Sequence, residues 1–277
     1  MSAGRCDATI GILTYRSKEL LRGCLRSIFD VAWRRNYDVM VIDNASGDGT
    51  AEMVESEFPS VDLVRNPTNV GVAPARNQIF NRAAGRYVII LDVDTLVHPG
   101  SFDVLLDVMD KNPDAAIAGP RLVYRDGALQ LSCRPFPNPL NIVLEGTFLR
   151  ELFSKSRFVV NYTMEGWDHA EQRDVGWMYG AALVVRKSAL AKIGLFDEGF
   201  FYLYEDIDLC FRARQAGFRN LYVPDAVVTH FLDRERKGVF HPRIGTHVRS
   251  ITRYLLKDYY GVAFRGGEPS LVEEATT

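Results

Sequence analysis

Four short apolar runs in the first part of the chain, each followed by a helical pattern, restrict it to one kind of architecture. Residues 8–13 (ATIGIL), 39–43 (VMVID), 61–65 (VDLVR) and 87–92 (YVIILD) each have the length of a strand. Between the first two, residues 17–31 place Leu20, Leu21, Cys24, Leu25 and Ile28 at helical spacing. Residues 46–50 (SGDGT) read as a turn into a helix over 51–58, and another helix spans 74–84. This alternation predicts an α/β fold: a mostly parallel sheet with helices on both faces. Ligands of such sheets gather at the carboxyl ends of strands, where Thr14, Asp43 and Asp92 fall.

The second half is less regular. Residues 116–124 and 182–186 read as further strands, separated by a long segment rich in Pro, Phe and charge that includes RPFPNP. A connection of that length in a compact domain is usually functional. Residues 246–260 form a basic amphipathic helix, with Arg249, Arg253 and Lys257 among Val248, Ile251, Leu255, Tyr259 and Tyr260, and the last residues read as disordered. With 277 residues, 47% hydrophobic and 25% charged, the chain can bury a large core without disulfides. Its four cysteines, Cys6, Cys24, Cys133 and Cys210, form no CxxC pair and read as reduced thiols of a cytoplasmic protein. A net charge of −2 argues against a nucleic-acid binder, and no apolar run approaches the ~20 residues of a spanning helix.

Asp92 and Asp94 flank Val93 at the end of the fourth run. Strand alternation puts both carboxylates on one side, where they repel unless a positive group meets them. A hard divalent cation such as Mn²⁺ or Mg²⁺ fits, since it takes few oxygen ligands from protein when a substrate phosphate supplies others. A second constellation is FDEGFFYLYEDIDLCFR, in which aromatic residues lead into Glu205, Asp206 and Asp208. Acids at a helix start suit its dipole, while a carboxylate against aromatic rings is partly desolvated, as a general base should be. His230 ends the run VVTH; alone, such a histidine is more often structural than a ligand.

GILTYRS with Thr14, VIDNASGDGT with Asp43, NVGVAPARN from Asn69 to Asn77, LDVD, GAALVVRKSAL, GLFDEGFFYLYEDIDLCFR and VVTH occur in that order over about residues 7–232. The ordered set resembles the family 2 glycosyltransferases with the GT-A fold, a Rossmann-like sheet, and within them the bacterial rhamnosyltransferase-like branch. The resemblance implies a catalytic domain over 1–232, with a nucleotide-binding half over 7–95 and an acceptor half over 96–232, followed by a C-terminal helical extension over 233–277. It also implies single displacement with inversion, from a dTDP-, UDP- or GDP-linked sugar to a glycan or lipid-linked acceptor in cell-surface polysaccharide synthesis. Asp43 matches the acid that meets the nucleotide base; Thr14, Tyr15, Asn69 and Val93 fall on the same donor side. Asp92 would face the ribose or a metal-bound water, Asp94 would hold the cation, and Asp206 would take the acceptor hydroxyl's proton.

Other positions stay open between two roles. Arg76 either approaches the phosphates or makes a surface salt bridge, and His230 is a third metal ligand or a structural residue. Trp167 and Trp177, near Gly180, stack on a sugar or pack in the core, whereas Glu205 and Asp208 support the helix start. The C-terminal helix either lies on an anionic membrane, at its cytoplasmic face, or packs on the domain or a second copy. The competing activities are a sugar-phosphate nucleotidyltransferase and an inactive sugar-nucleotide binding module. The first usually carries a glycine-rich basic loop after strand one, where this chain has Leu13-Thr-Tyr-Arg-Ser17; intact Asp94 and Asp206 speak against the second.

Overall fold

The computed structural model describes residues 6–145, 152–200, 203–231, 244–259 and 261. The four apolar runs are strands: β1 Ala8–Thr14, β2 Tyr37–Asp43, β3 Asp62–Arg65 and β4 Tyr87–Asp92. They lie side by side and parallel, in the order β3-β2-β1-β4. Between them run α1 Lys18–Phe29, α2 Thr50–Glu57 and α3 Val72–Arg82. The sheet then continues through β10 Ala182–Arg186, β6 Ala115–Val123, β11 Arg219–His230 and β5 Thr95–Val97. β10 is antiparallel to both its neighbours, β6 and β11 are parallel, and the short β8 Arg173–Asp174 pairs with β11. A second, two-stranded sheet joins β7 Cys133–Arg134 to β9 Trp177–Met178.

Both faces of the large sheet are covered. Along β4, Tyr87, Ile89 and Leu91 pack toward α1, α2 and α4 Ser101–Lys111, while Val88 and Ile90 pack toward α3. This is the two-residue alternation of a strand buried on both sides. α1 buries Leu21, Cys24, Leu25 and Ile28, but Leu20, counted above with its apolar stripe, faces solvent. Gly11 lets α3 rest directly on β1, because a Cβ there would sit 2.2 Å from Ile79 Cγ2. All four cysteines are free.

Several elements differ from the pattern expected above. The long segment after β6 is partly helical, with α5 Pro139–Glu145 and α6 Arg157–Thr163. α4, α7 Leu190–Ile193 and most of β11 are further elements. β11 runs for 12 residues through Pro224, which sits at an irregularity where the register with β6 shifts between Val223 and Val227. Proline gives the ladder no N–H, so a strand holds it only at an edge or a bulge.

The C-terminal helix α9 spans Ile244–Tyr254 and continues as a π turn over Leu255–Tyr259. It docks on the domain through Arg253 and Lys257, both paired with Asp197, and through Lys257 with Asp208. The tail expected to be disordered, after residue 261, lies outside the described residues, as does Tyr260. No helix among the described residues is long and apolar enough to cross a membrane.

Candidate active site

The carboxyl ends of β1, β2 and β4 bring Thr14, Asp43 and Asp92 to one edge of the sheet. Asp43 Oδ1 accepts from the Ser46 N–H at 3.0 Å, which ties down the turn after β2. Asn44 is the hub of this corner. Its amide donates to Asn69 Oδ1 at 2.9 Å and the Gly71 carbonyl at 3.2 Å, and its oxygen accepts from Asn66 and Val70, both at 3.1 Å. Asn69 Oδ1 also accepts from the Gly71 N–H at 3.0 Å, so it shapes the entry to α3. Buried Thr14 Oγ1 has no hydrogen-bond partner among the described residues. A buried hydroxyl in that state is costly unless a ligand meets it. Tyr15 is exposed beside Arg16, and Arg16 and Ala45 both take positive φ (51° and 65°), strained backbone of a kind that clusters at binding loops.

The two acids converge, but not for the reason expected. β4 ends at Asp92, and Val93 and Asp94 form a turn before β5, so strand alternation does not reach Asp94. Thr95 Oγ1 closes that turn on the Asp92 carbonyl at 2.7 Å, and Phe231 N–H donates to the Asp94 carbonyl at 2.8 Å. The second bond holds the end of β11 against the turn. Asp92, Asp94 and His230 can each present one ligand atom within 4.8 Å of the others. His230 Nε2 lies 3.5 Å from Asp94 Oδ1, while its Nδ1 lies 2.9 Å from Gln130 Oε1. With Gln130 Oε1 as the acceptor, Nδ1 donates to it, and Nε2 is the nitrogen turned toward the acids. Two carboxylates and an imidazole suit Mn²⁺, and the residues present fit such an ion.

Arg76 meets the acids from the other side. It is buried in α3, a position the surface salt bridge considered above does not match. Its Nη2 donates to Asp92 Oδ1 at 2.6 Å and to the Gly180 carbonyl at 3.2 Å, and its Nη1 to Glu205 Oε1 at 3.2 Å. Burial works against the charge on Arg76, but Asp92 and Glu205 outweigh it and hold its pKa above the usual value.

Glu205 and Asp206 open α8, Glu205–Gln215. Leu203 and Tyr204, just before them, both have positive φ (64° and 74°), so strained backbone delivers the two acids. Asp206 Oδ2 accepts from the Gly180 N–H at 2.9 Å. A Cβ on Gly180 would lie 3.0 Å from Arg76 Nη1 and 3.3 Å from Asp206 Oδ2, which explains a glycine there. Burial pushes the Asp206 carboxyl above its ordinary range, against the pull of the Gly180 N–H and Arg76. Glu205 is raised by burial and then by the charge of Asp206, with Arg76 opposing.

Asp208 points away, into ion pairs with Arg212 and Lys257 behind α8. Trp177 is buried in the core beside Tyr179, and Trp167 stacks on His169 at 4.1 Å with its edge toward Tyr222. Both rings are held by protein contacts. Val93 packs against the α1 side of the core. The structure thus gathers Asp92, Asp94, His230, Arg76, Gly180, Glu205 and Asp206, and adds Gln130 and Asn44. Asn44 had a signal in its place within VIDN; Gln130, separated from His230 by 100 positions, had none.

Known proteins resemble this chain in sequence and in fold. The model described as glycosyl transferase family 2 matches residues 9–160, and that of glycosyl transferase family group 2 matches 87–256. An N-acetylglucosaminyl-diphospho-decaprenol L-rhamnosyltransferase of Mycobacterium tuberculosis is 32% identical over 229 residues, covering 79% of this chain and 74% of its own length. Among solved structures, the mannosyltransferase PcManGT from Pyrobaculum calidifontis, in complex with GDP-Man and Mn²⁺, has a TM-score of 0.61 at 19% identity, covering 96% of this chain and 67% of that one. GalNAc-T7 with UDP, GalNAc and Mn²⁺ has a TM-score of 0.64 at 17% identity over 91% of this chain; the chain spans about half of that protein, 48%. At those identities the two structures speak for the fold. The chain belongs to the family 2 glycosyltransferases, in the rhamnosyltransferase-like branch.

Proposed function

We propose that this chain is an inverting, metal-dependent transferase that moves L-rhamnose from a dTDP-linked donor to a hydroxyl of an N-acetylglucosaminyl group on a polyprenyl diphosphate, at the cytoplasmic face of a membrane. The acceptor follows the printed name of the mycobacterial relative, and a UDP- or GDP-linked hexose is the alternative donor. The observation that carries the reading is the convergence of Asp92, Asp94 and His230 opposite Asp206, across buried Arg76.

Asp43 and the unpartnered Thr14 hydroxyl meet the nucleoside at the end of β2 and β1. Asp92, Asp94 and His230 would hold a divalent cation, which would offset the charge that builds on the departing diphosphate. Asp206 takes the proton of the acceptor hydroxyl as its oxygen attacks the anomeric carbon. The new C–O bond forms on the face opposite the breaking bond to phosphate, so one displacement inverts the centre. The Gly180 N–H and Arg76 oppose the rise that burial imposes on the Asp206 carboxyl, and Glu205 anchors Arg76.

The test is a transfer assay with Mn²⁺, a short-chain N-acetylglucosaminyl polyprenyl diphosphate and a panel of dTDP-, UDP- and GDP-sugars. The expected product carries one added sugar with inverted anomeric configuration by NMR. Retained configuration, or no transfer and no donor hydrolysis across the panel, would overturn the reading.

A further inference from the structure

α9 and α5 face the wrong way for helices on a domain surrounded by water. On α9 and its π turn, Ser250, Tyr254 and Asp258 are buried at spacing i, i+4, i+8. The opposite side presents Val248 (55% exposed), Thr252, Leu256 and Tyr259 to the outside, with Ile251 and Leu255 half-buried at its edges. On α5, Asn141 is buried while Leu140 and Val143 are exposed. Leu152 (69% exposed), Phe153 and Phe158 continue the same theme into α6. Of the 12 large apolar side chains exposed among the described residues, eight lie in the stretches 140–158 and 248–259. An amphipathic surface helix normally buries its apolar stripe, and a clustered exposed one marks an interaction face.

The two stretches adjoin. Tyr254 Oη donates to the Pro137 carbonyl at 3.0 Å, just ahead of α5, and α5 packs against α6. Among the described side chains of the two stretches, the exposed charges are cations. Lys155 and Arg157 are exposed between Phe153 and Phe158, with no acid from 152 to 158. On α9 Arg249 is exposed as well, while Arg253 and Lys257 turn inward to Asp197 and Asp208. Asp258, the acid that follows, is buried beside Asp208 rather than displayed.

We infer that this face, built by α5, the start of α6 and α9, docks the protein on an anionic lipid bilayer, its apolar side chains entering the interface and its cations meeting headgroup phosphates. Apolar surface combined with an excess of cations is what such a bilayer recognises. A second copy seated on the same face would set cations against cations. The docking stands on this surface alone; its purpose, bringing the site to a lipid-linked acceptor, rests on the transferase reading above.

The full chain is mixed with vesicles of phosphatidylcholine alone and of phosphatidylcholine with phosphatidylglycerol, and bound protein is measured by flotation. Binding is expected only with the anionic vesicles and should weaken as salt rises. Val248→Asp with Leu256→Asp should lower it about tenfold or more, and Lys155→Glu with Arg157→Glu severalfold, with melting temperatures unchanged because all four side chains are exposed or nearly so. No binding to either vesicle, or equal binding by both double variants, overturns the inference. So does a dimer in light scattering that the Val248→Asp, Leu256→Asp variant converts to monomer, since that assigns the face to a second copy. Manganese-stimulated donor hydrolysis, read without vesicles on the same samples, separates the two proposals. Hydrolysis without docking removes this inference alone, and docking without hydrolysis removes the transferase reading alone.

Discussion

Arg76→Met tests the electrostatics of the site most directly. The guanidinium lies between Asp92 and Glu205. Asp92, with 35% of its side chain exposed, keeps contact with solvent when Arg76 is removed, but Glu205, at 8%, does not. Removing one partner of a buried pair costs about 3–5 kcal/mol, because the other charge is left unpaired in the interior. Glu205 has an escape. Its carboxyl already sits above the ordinary range through burial and the charge of Asp206, and Arg76 is what opposes both. Without Arg76 it rises further, so at acid pH the variant takes up a proton and avoids the penalty.

The sign follows from linkage. A carboxyl raised in the folded state contributes stability below its unfolded pKa and loses it as pH rises through the folded value. In wild type Glu205 already sits at about 7, so below that both proteins hold the proton; above it the variant loses at most about 1.4 kcal/mol per pH unit relative to wild type, up to about 3 kcal/mol by about pH 9. That ceiling meets the lower end of the cost of an unpaired buried charge. Urea unfolding of both proteins at several pH values reads it: near-equal stability up to about pH 7 and a deficit approaching about 3 kcal/mol near pH 9. Adding Glu205→Gln should flatten the pH dependence and recover most of the deficit, since an amide carries no charge to strand. A deficit that does not change with pH, or one under about 1 kcal/mol at the alkaline end, refutes the reasoning.

Asp94→Ala should abolish the manganese dependence of donor binding in calorimetry while leaving the fold intact; unchanged affinity with Mn²⁺ would remove Asp94 from the ligand set. Asp206→Asn should keep donor affinity and lower turnover by about 10²–10⁴-fold, because an amide cannot take the acceptor proton, and wild-type turnover would exclude it as the base. Gln130→Leu should weaken Mn²⁺ binding by about 10–100-fold through loss of the hydrogen bond that orients His230, and an unchanged metal affinity would mean that His230 is no ligand.

How much of this is readable along the chain depends on the range over which the signal acts. β4 is legible because Tyr87 to Leu91 is apolar without a break and must be buried on both faces. Asp92 is legible as a strand end on a known kind of sheet. β11 is not, because Pro224 and Asp225 interrupt it and only the sheet context turns the interruption into a register shift. α4 carries readable spacing in Phe102, Leu105, Leu106 and Met109, whereas α5 misleads, since Leu140 and Val143 face outward while Asn141 is buried.

The site divides in the same way. Asp43 and Asp92 announce themselves because a carboxylate directly after an apolar strand needs a reason. The partners that govern their chemistry announce nothing: Arg76 reaches Glu205 across 129 positions, and Gln130 reaches His230 across 100. Hydrophobic periodicity reports the environment of one element, and ion pairs between elements leave no trace in it. Arg76 shows the consequence. From its helix alone it belongs on the surface, because a buried arginine is costly unless paired. Only when Asp92, Glu205 and the Gly180 carbonyl close around it does burial become the better state, and its charge then governs the acids on both sides of the site.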